Sequence, residues 1–271
     1  MATEAPARYN PKNVMLQPHE LSHLLTRFGV DAPYTDINIY RRAFVNRSYC
    51  TKKNENYVNG NVGCPPGCMP LQEESNERLE YLGDAILNKT IAMYTFQRFP
   101  KDNEGFLTIM RTKLVNGVQL AKFAKELGMD RFVIISAQLE ESGGRSHKST
   151  LEDAFEAFVA AIYLDFEEAH GTGSAVSTQW ITTMVENLVD VVSMIKSNVN
   201  YKDKLVKLCQ HNFNFVPTFE EHSSKNRQGE VYHKVIVKDN MGVTIAVSKD
   251  RRKKEAEVEA ARKALEYYGD K

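Results

Sequence analysis

Two acidic residues adjoin the most apolar stretch of this chain. Glu156 directly precedes eight consecutive apolar residues at 157–164, and Asp153 lies three residues earlier. A helix over this segment would be apolar almost all round and therefore buried, with both carboxylates on one face. A carboxylate taken out of water must be protonated, paired with a cationic group or bound to a metal ion. Residues 151–165 contain no Lys or Arg, and this favours a metal ion.

A second set of acidic residues lies earlier in the chain. Glu77, Glu80 and Asp84 are spaced i, i+3 and i+7, which places them on one stripe of a helix. Such a stripe is also typical of an ordinary amphipathic surface helix. Gly83, inside the same helix, costs about 1 kcal/mol relative to Ala, and a glycine kept at that cost often permits a second helix to approach closely. We therefore expect the two acidic helices to meet at Gly83.

That crossing would gather the carboxylates of Glu80, Asp84, Asp153 and Glu156 around one pocket. Four carboxylates repel one another unless divalent cations lie among them. Because the ligands would all be oxygen atoms, without His or thiolate, Mg²⁺ is favoured over Zn²⁺, and Mn²⁺ is the expected substitute. Sites of this kind polarise a phosphoryl oxygen and lower the pKa of a bound water for in-line attack. The four residues therefore predict hydrolytic chemistry at a phosphate.

Helical spacing dominates the chain up to about residue 196. Residues 1–15 are expected to be a disordered polar tail. The apolar pattern, with Gly and Pro between segments, predicts helices over 18–28, 36–49, 76–97, 104–127, 149–168 and 174–195. Ser149 lies three residues before Glu152, which predicts a capping box at the start of the second acidic helix. Glu152 is therefore expected to cap this helix.

The pattern changes after a short polar linker at 197–200. A helix is predicted over 203–211, strands over 214–222, 230–239 and 242–248, and a final helix over 250–268. The predicted fold is multidomain. An all-α domain spans 16–196, with a polar insertion at 51–70, and a small α+β domain of α-β-β-β-α order spans 201–269.

The charge of the 271 residues is balanced overall but unevenly distributed. Residues 72–170 carry 17 Asp and Glu against 11 Lys and Arg, whereas residues 200–271 carry 15 Lys and Arg against 11 Asp and Glu. This asymmetry suits a metal site joined to a module for a polyanion, although solvated surface charge also produces such differences. The sequence shows no signal peptide, and no apolar run approaches the ~20 residues that span a bilayer. We therefore expect a soluble, intracellular protein with no membrane association.

The cysteines allow two interpretations. Four cysteines in a chain of this length do not make a disulfide framework. Cys50, Cys64 and Cys68 could bind zinc, but the spacing is loose and a fourth ligand is not evident nearby. The alternative is that they are reduced thiols in the polar insertion.

Four consecutive cations at 251–254 begin the last predicted helix. Cations at a helix start oppose the macrodipole, typically by ~0.3–1 kcal/mol per exposed charge. A phosphate placed there would meet free backbone N–H groups together with Lys253 and Lys254. A solvated basic turn is the alternative interpretation.

Several motifs together carry a family resemblance. Residues 76–87 (NERLEYLGDAIL) resemble the signature of the ribonuclease III family. Three further segments resemble that family in the same order, namely AFVNRSY at 43–49, EGFLTIMRTKLVN at 104–116 and LEDAFEA at 151–157. The resemblance covers about 36–168, and the C-terminal module resembles a double-stranded RNA-binding domain.

The resemblance implies an activity and a set of active-site residues. It implies a metal-dependent endoribonuclease specific for double-stranded RNA, which acts as a homodimer and leaves 5′-phosphates and short 3′ overhangs. Glu156 would bind the ion that activates the attacking water. The metal-binding and catalytic carboxylates would be Glu80, Asp84, Asp153 and Glu156.

The resemblance also implies supporting residues. Glu77 would have a supporting or dimer-interface role, and Glu104 likewise. Tyr81 matches the family's usual Phe, an aromatic knob buried in the partner subunit, and its hydroxyl would need a hydrogen-bond partner there.

RNA contacts are expected from the C-terminal module. The family's first helix usually offers a Gln–Glu pair to the minor groove, whereas this chain has Val206 and Lys207. We therefore expect binding dominated by phosphate contacts. The expected RNA-binding residues are Lys253, Lys254, Arg252, Gln210 and Lys202.

A competing hypothesis is a non-catalytic protein that sequesters double-stranded RNA on a nuclease-like scaffold. The presence of all four acidic residues favours the enzyme, because an empty pocket would give no reason to retain them.

Overall fold

Two separate compact units make up the chain. The computed structural model describes residues 8–51, 63–196, 201–225 and 229–269. Unit 1 is Met1–Val189 and unit 2 is Asp190–Lys271. The domain boundary expected after residue 196 lies seven residues beyond this division. The helix expected over 174–195 is interrupted at Val189, which has an extended backbone (φ −115°, ψ 121°), and a new helix follows.

Helices account for most of unit 1. Two further expected helices are interrupted in this unit. The one expected over 36–49 ends at Ala43 and is followed by a 3-10 turn, Arg47–Tyr49. The one expected over 104–127 breaks at Asn116, whose side chain accepts hydrogen bonds from two amides and caps the next helix. The helices are α1 (Pro18–Thr26), α2 (Ile37–Ala43), α3 (Glu77–Arg98), α4 (Glu104–Val115), α5 (Gly117–Glu126), α6 (Ala137–Glu141), α7 (Lys148–His170) and α8 (Gly173–Leu188).

The capping box expected at Ser149 is wrong. Helix α7 begins at Lys148 after the N-cap residue His147, whose side chain makes no capping hydrogen bond. Ser149 lies inside the first turn, where its hydroxyl cannot serve as the N-cap. Glu152 instead lies one turn after Lys148, and the Lys148 Nζ to Glu152 Oε2 distance is 3.6 Å.

The prediction of a disordered tail over residues 1–15 is wrong for residues 8–15. Residues 1–7 lie outside the described part of the chain. Asn10 is only 2% exposed. Asn13 accepts a hydrogen bond from the Ile135 amide (3.1 Å) and donates one to its carbonyl (3.0 Å). Arg145 Nη2 also donates to Asn13 Oδ1 (3.1 Å). Side-chain amides thus fix this segment with bonds that the apolar pattern does not reveal.

Helix α7 forms the centre of unit 1. Helices α2, α3, α5 and α8 pack around it, and its segment from Ala157 to Ile162 is fully buried. Trp180 on α8 is also fully buried. Its ring is tilted against that of Phe158 with 5.5 Å between centroids, and its Nε1 donates to the Leu24 carbonyl (2.9 Å). The expectation of a buried helix at 157–164 is therefore confirmed.

Helices α3 and α7 cross in direct backbone contact at Gly83. A Cβ atom on Gly83 would lie 1.8 Å from the carbonyl oxygen of Glu156. No side chain fits in that space, so only glycine permits this crossing. The expectation that the two acidic helices meet at Gly83 is confirmed.

Unit 2 has the expected α-β-β-β-α order after a short helix α9 (Val191–Lys196). Its three strands form an antiparallel sheet in which the second strand along the chain is central. One sheet face packs against the helices through a core that includes Leu205, Val235, Val237 and Ala260. The elements are α10 (Tyr201–Phe213), β1 (Thr218–Lys225), β2 (Val231–Lys238), β3 (Thr244–Asp250) and α11 (Lys253–Tyr267). No helix in the described ranges is long and apolar enough to cross a membrane.

We predict that Gly83→Ala destabilises unit 1 by about 2–3 kcal/mol, because overpacking a tight contact typically costs 1–3 kcal/mol and here the clash is with backbone. Chemical denaturation followed by tryptophan fluorescence of Trp180 would measure it. Gly105→Ala is the matched control: its Cβ would meet only the Asn103 side chain at 3.4 Å. That variant should be unchanged or up to about 1 kcal/mol more stable. Equal stability of the two variants would contradict the prediction.

Candidate active site

The predicted acidic residues lie on the two helices that cross at Gly83. Glu80 and Asp84 are on α3, and Asp153 and Glu156 are on α7. Glu156 is 8% exposed, since its backbone lies against Gly83. Asp84 is exposed, and Glu80 and Asp153 are intermediate. The site is therefore a shallow acidic surface with one buried carboxylate at its base.

Electrostatics show that the four carboxylates act on one another. Burial is the largest cause that raises the pKa of Glu156 from 4.5 to about 8. Like charges raise it further, in descending order those of Asp84, Glu152, Glu80 and Asp153. The charges of Asp84, Glu80 and Asp153 therefore act on Glu156, and the convergence of the four carboxylates on one ion stays a prediction.

Glu80 and Asp153 are perturbed in the same direction. Burial raises the pKa of Glu80 above its ordinary value, and the charge of Asp153 adds to the effect. Burial likewise raises the pKa of Asp153, followed by the charge of Glu152, while a backbone hydrogen bond lowers it. Three carboxyl groups of one cluster therefore hold their protons more tightly than carboxyl groups in water.

A second buried carboxylate on α7 shows what is unusual about Glu156. Asp165, 4% exposed, accepts hydrogen bonds from the amides of Thr35 (3.0 Å) and Asp36 (2.9 Å) and from the Tyr40 hydroxyl (2.9 Å). Such donors compensate for the loss of water. Across the described ranges, Glu156 has neither a hydrogen-bond donor nor a cationic side chain within salt-bridge distance. Because nothing in these ranges compensates its charge, the neutral form of Glu156 is favoured.

Two contacts at the site were not expected from the sequence. Asn88 Nδ2 donates to Asp84 Oδ1 (2.7 Å) from one turn further along α3, and this fixes one carboxylate oxygen. Glu152 joins the acidic cluster, and its carboxylate fills the space beside Gly117 at the start of α5. The i+4 spacing of Asn88 was the available signal. The assignment of Glu152 to a cap obscured its part in the cluster.

The donor set fits a hard divalent cation, since it consists of carboxylate oxygens alone. Among the described residues, no group of three or more His, Cys, Asp or Glu side chains is already arranged to hold a metal ion. The four carboxylates that would hold such an ion lie on the two crossing helices α3 and α7.

The cations expected to bind RNA begin α11 in unit 2. Lys253 is the first residue of the helix, and its ammonium group lies 2.5 Å from Glu221 Oε2 on β1. The hydrogen bond and the charge of Glu221 raise the pKa of Lys253. His233 Nδ1 also contacts Glu221, at 3.0 Å from Oε1. Lys254 and Arg252 are exposed beside this cluster.

The other two residues expected to bind RNA, Gln210 and Lys202, differ in whether they already have partners within unit 2. Gln210 on α10 is exposed. Lys202 instead lies 3.5 Å from Glu257 and 4.7 Å from the ring centroid of Phe219, so its ammonium group already has partners within unit 2. The loop residues 226–228 lie outside the described part of the chain.

Comparison with known proteins agrees with these two units. A family model described as Ribonuclease-III-like matches residues 36–183, and a model of the double-stranded RNA binding motif matches residues 201–268. Ribonuclease 3 of Streptococcus gordonii is 32% identical, and the match covers 90% of this chain and 94% of that protein. The chain belongs to the ribonuclease III family.

Two further matches of this ribonuclease III family member cover different shares of the two chains compared. A probable ribonuclease 3 of Acanthamoeba polyphaga mimivirus is 28% identical over 96% of this chain, which spans only 47% of that protein's length. The solved nuclease domain of ribonuclease III from Campylobacter jejuni is 30% identical, with a TM-score of 0.48. That match covers 64% of this chain and 99% of the Campylobacter domain.

The three residues to which the ribonuclease III resemblance gave supporting roles have different surroundings. Glu77 accepts a hydrogen bond from Ser75 (2.9 Å) and lies 3.5 Å from Arg47 Nη1. Glu104, at the exposed start of α4, accepts one from the Thr108 hydroxyl (3.0 Å). Tyr81 is 83% exposed.

The cysteines near the insertion are free thiols in the structure. Cys50, Cys64 and Cys68 pack against a small apolar cluster that contains Tyr49 and Leu71. Within the residues that can be described, they do not form part of a metal-binding group. Residues 52–62 of the insertion lie outside the described ranges, and the choice between zinc ligands and reduced thiols stays a prediction.

We predict that Glu156→Gln raises the melting temperature in metal-free buffer at pH 8–9 by several degrees and leaves it unchanged near pH 4.5. A raised folded-state pKa means that the contribution of Glu156 to stability is fully present below pH 4.5 and is lost as the pH rises through about 8. Thermal unfolding followed at several pH values would measure this. The exposed Glu141→Gln is the control. If the melting temperatures of the wild type and Glu156→Gln changed equally with pH, ionisation of Glu156 would not be the cause of the loss of stability at high pH.

Proposed function

We propose that this protein is a divalent-metal-dependent endoribonuclease that hydrolyses phosphodiester bonds in double-stranded RNA. One observation carries the proposal: Glu156 is a buried carboxylate with a raised pKa, acidic neighbours and no compensating donor among the described residues. Membership of the ribonuclease III family and the double-stranded RNA binding motif at 201–268 support the choice of substrate.

The chain's own residues would bind the metal ion, orient one of its ligands and fix the spacing of the two helices that carry the ligands. Glu80, Asp84, Asp153 and Glu156 would hold Mg²⁺, with Mn²⁺ as a substitute. Asn88 orients one Asp84 oxygen, and the Gly83 crossing fixes the distance between the two helix backbones. When bound, a divalent ion supplies Lewis acidity toward a phosphoryl oxygen and lowers the pKa of a bound water. Glu156 would lose its proton to bind the ion, because a nearby cation lowers the pKa of a carboxyl group.

The proposed active form is a homodimer in which each subunit cuts one strand, leaving 5′-phosphates and short 3′ overhangs. The exposed aromatic ring of Tyr81, one residue after Glu80, supports a protein contact at this edge of the site. A Tyr ring at an interface can bury its apolar body and still hydrogen-bond through its hydroxyl. Glu77 and Glu104 would lie near the same contact. The proposed extents remain 16–196 for the nuclease domain, 197–200 for the linker and 201–269 for the RNA-binding domain.

The principal test is cleavage of a long RNA duplex. We expect shortened duplexes with Mg²⁺ and none with chelator, and we expect Glu156→Gln to lower kcat by roughly 100-fold or more, the scale for removal of a positioned catalytic group. Products should be substrates for a 5′-phosphate-dependent exonuclease, and sequencing gels should show short 3′ overhangs. Glu141→Gln should cleave like the wild type. Intact RNA in every lane, with RNA binding preserved, would favour the sequestering protein instead.

For the RNA-binding domain, we predict that Lys253→Gln with Lys254→Gln weakens duplex binding at every sequence tested. The plot of log affinity against log salt should become shallower by about one for each phosphate that the variant no longer binds. Fluorescence anisotropy over a range of salt concentrations would measure the slope. The double variant Lys238→Gln with Lys263→Gln removes the same charge elsewhere in unit 2. If both double variants changed the slope equally, net charge rather than the helix start would govern binding.

A further inference from the structure

Three of the four consecutive cations around the start of α11 have carboxylate partners within unit 2. Their N–O distances are 2.9 Å to Glu230, 4.0 Å to Glu255 and 2.5 Å to Glu221. The shortest of these pairs joins Lys253 to Glu221. Lys254 is exposed and has no ion-pair partner in the part of the chain that the structure describes. Carboxylates of unit 2 therefore already neutralise most of the basic segment that the sequence offers to a polyanion.

Glu221 lies on the sheet face that packs against the helices. Its register partner on β2 is Val235, a buried residue of the core of unit 2, and cross-strand partners point to the same face of a sheet. The neighbouring Glu220 therefore points to the opposite, open face. There it is paired with Lys238, at 2.7 Å. The two adjacent glutamates of β1 thus each bind a lysine, but only Glu221 binds one at the start of α11.

Hydrogen bonds hold both carboxylate oxygens of Glu221. Oε2 accepts from the Lys253 ammonium group, and Oε1 lies 3.0 Å from His233 Nδ1. The bond from Lys253, followed by that from His233, lowers the pKa of Glu221, so its carboxylate is ionised at neutral pH. Because an ionised carboxylate only accepts hydrogen bonds, His233 Nδ1 is the donor. The carboxylate is therefore fixed with one oxygen directed at Lys253.

A phosphate that approaches Lys253 meets two costs. It must replace the hydrogen bond between Lys253 and Glu221, which is charge-assisted and therefore of the stronger kind. It also comes close to the Glu221 carboxylate, and like charges at this range repel each other. Lys254 imposes neither cost, because it has no such partner among the described residues. Two adjacent cations at one helix start therefore differ in how freely they can bind phosphate.

We propose that Glu221 is an internal competitor for phosphate, which occupies Lys253 in the free protein and limits the affinity of unit 2 for duplex RNA. Glu221 is a positioning residue, since it acts on RNA binding only through Lys253. A limited affinity suits a nuclease that must release its cut duplex, because product release often limits turnover. This inference rests on the proposed function, because it requires Lys253 to bind a phosphate of the duplex.

The test measures duplex binding by the full chain in the presence of chelator, so that the RNA is not cut. A duplex of about 16 base pairs matches the length that a double-stranded RNA-binding domain spans. Glu221→Gln keeps the shape of the side chain and removes its charge. We expect its Kd to fall by about three- to fivefold, the scale of a partly exposed ion pair. The slope of log affinity against log salt should become steeper, by up to about one phosphate contact.

Glu220→Gln is the matched control, because it removes the same charge from the same strand on the opposite sheet face. Its Kd should stay within about twofold of that of the wild type, since salt screens longer-range effects of exposed charge. Glu221→Thr repeats the removal of charge with a residue suited to a strand. Melting temperatures show which variants keep the fold, and Glu221→Thr takes the place of Glu221→Gln if the latter is unstable.

A double-mutant cycle isolates the part of the effect that passes through Lys253. In the Lys253→Gln background, Glu221→Gln should bind the duplex no more tightly than Glu220→Gln does in that background. An equal gain in affinity with and without Lys253, or equal Kd values for Glu221→Gln and Glu220→Gln, would overturn the inference.

The same measurements separate this inference from the proposed function. If Lys253→Gln alone binds the duplex like the wild type, the proposed phosphate contact at Lys253 fails and the inference fails with it. If the wild type cuts no RNA in Mg²⁺ or Mn²⁺ while the binding differences hold, only the proposed nuclease activity fails.

Discussion

The contact between Gly83 and the backbone of Glu156 is the constraint that sets the geometry of the site. A Cβ on Gly83 would lie 1.8 Å from the Glu156 carbonyl oxygen, so the two helices approach as closely as their backbones allow. This approach buries the first turns of the apolar segment of α7 and brings the acidic stripe of α3 against it. Glycine weakens a helix interior by about 1 kcal/mol relative to Ala. That cost is offset by the packing of α3 on α7, the most extensive helix contact in unit 1.

Two buried carboxylates on α7 show how one helix serves both stability and chemistry. Asp165 is surrounded by amide and hydroxyl donors from the segment before α2 and from Tyr40, so its charge is compensated within the protein. Glu156 is surrounded by other carboxylates, so its charge is opposed, and its pKa rises to about 8. These surroundings favour the neutral form of Glu156. A divalent cation would supply the missing compensation, and metal binding would then also stabilise the fold.

The RNA-binding unit uses charge differently. The exposed cations at the start of α11 are opposed by the helix macrodipole, but Glu221 on the neighbouring strand accepts a hydrogen bond from Lys253. A phosphate that binds Lys253 must compete with this carboxylate. Lys202, expected to contact RNA, is paired with Glu257. Neighbouring acidic side chains thus reduce the number of cations that face solvent without a partner, which the count of Lys and Arg in the sequence does not reveal.

The pattern of residues along the chain is enough to predict the element types, the α-β-β-β-α order of unit 2, the burial of the apolar segment and the meeting of the acidic helices at Gly83. These features follow from periodicity and from the backbone freedom of glycine. Features that depend on single side-chain contacts were misjudged: the break at Asn116, the ordered segment at 8–15 and the start of α7 at Lys148. Which carboxylate is compensated and which is not emerges only from the packing of the folded chain. Periodicity places Asp165 and Glu156 alike inside one helix. The donors around Asp165, and the Glu80 and Asp84 carboxylates that act on Glu156, come from segments far away in the chain.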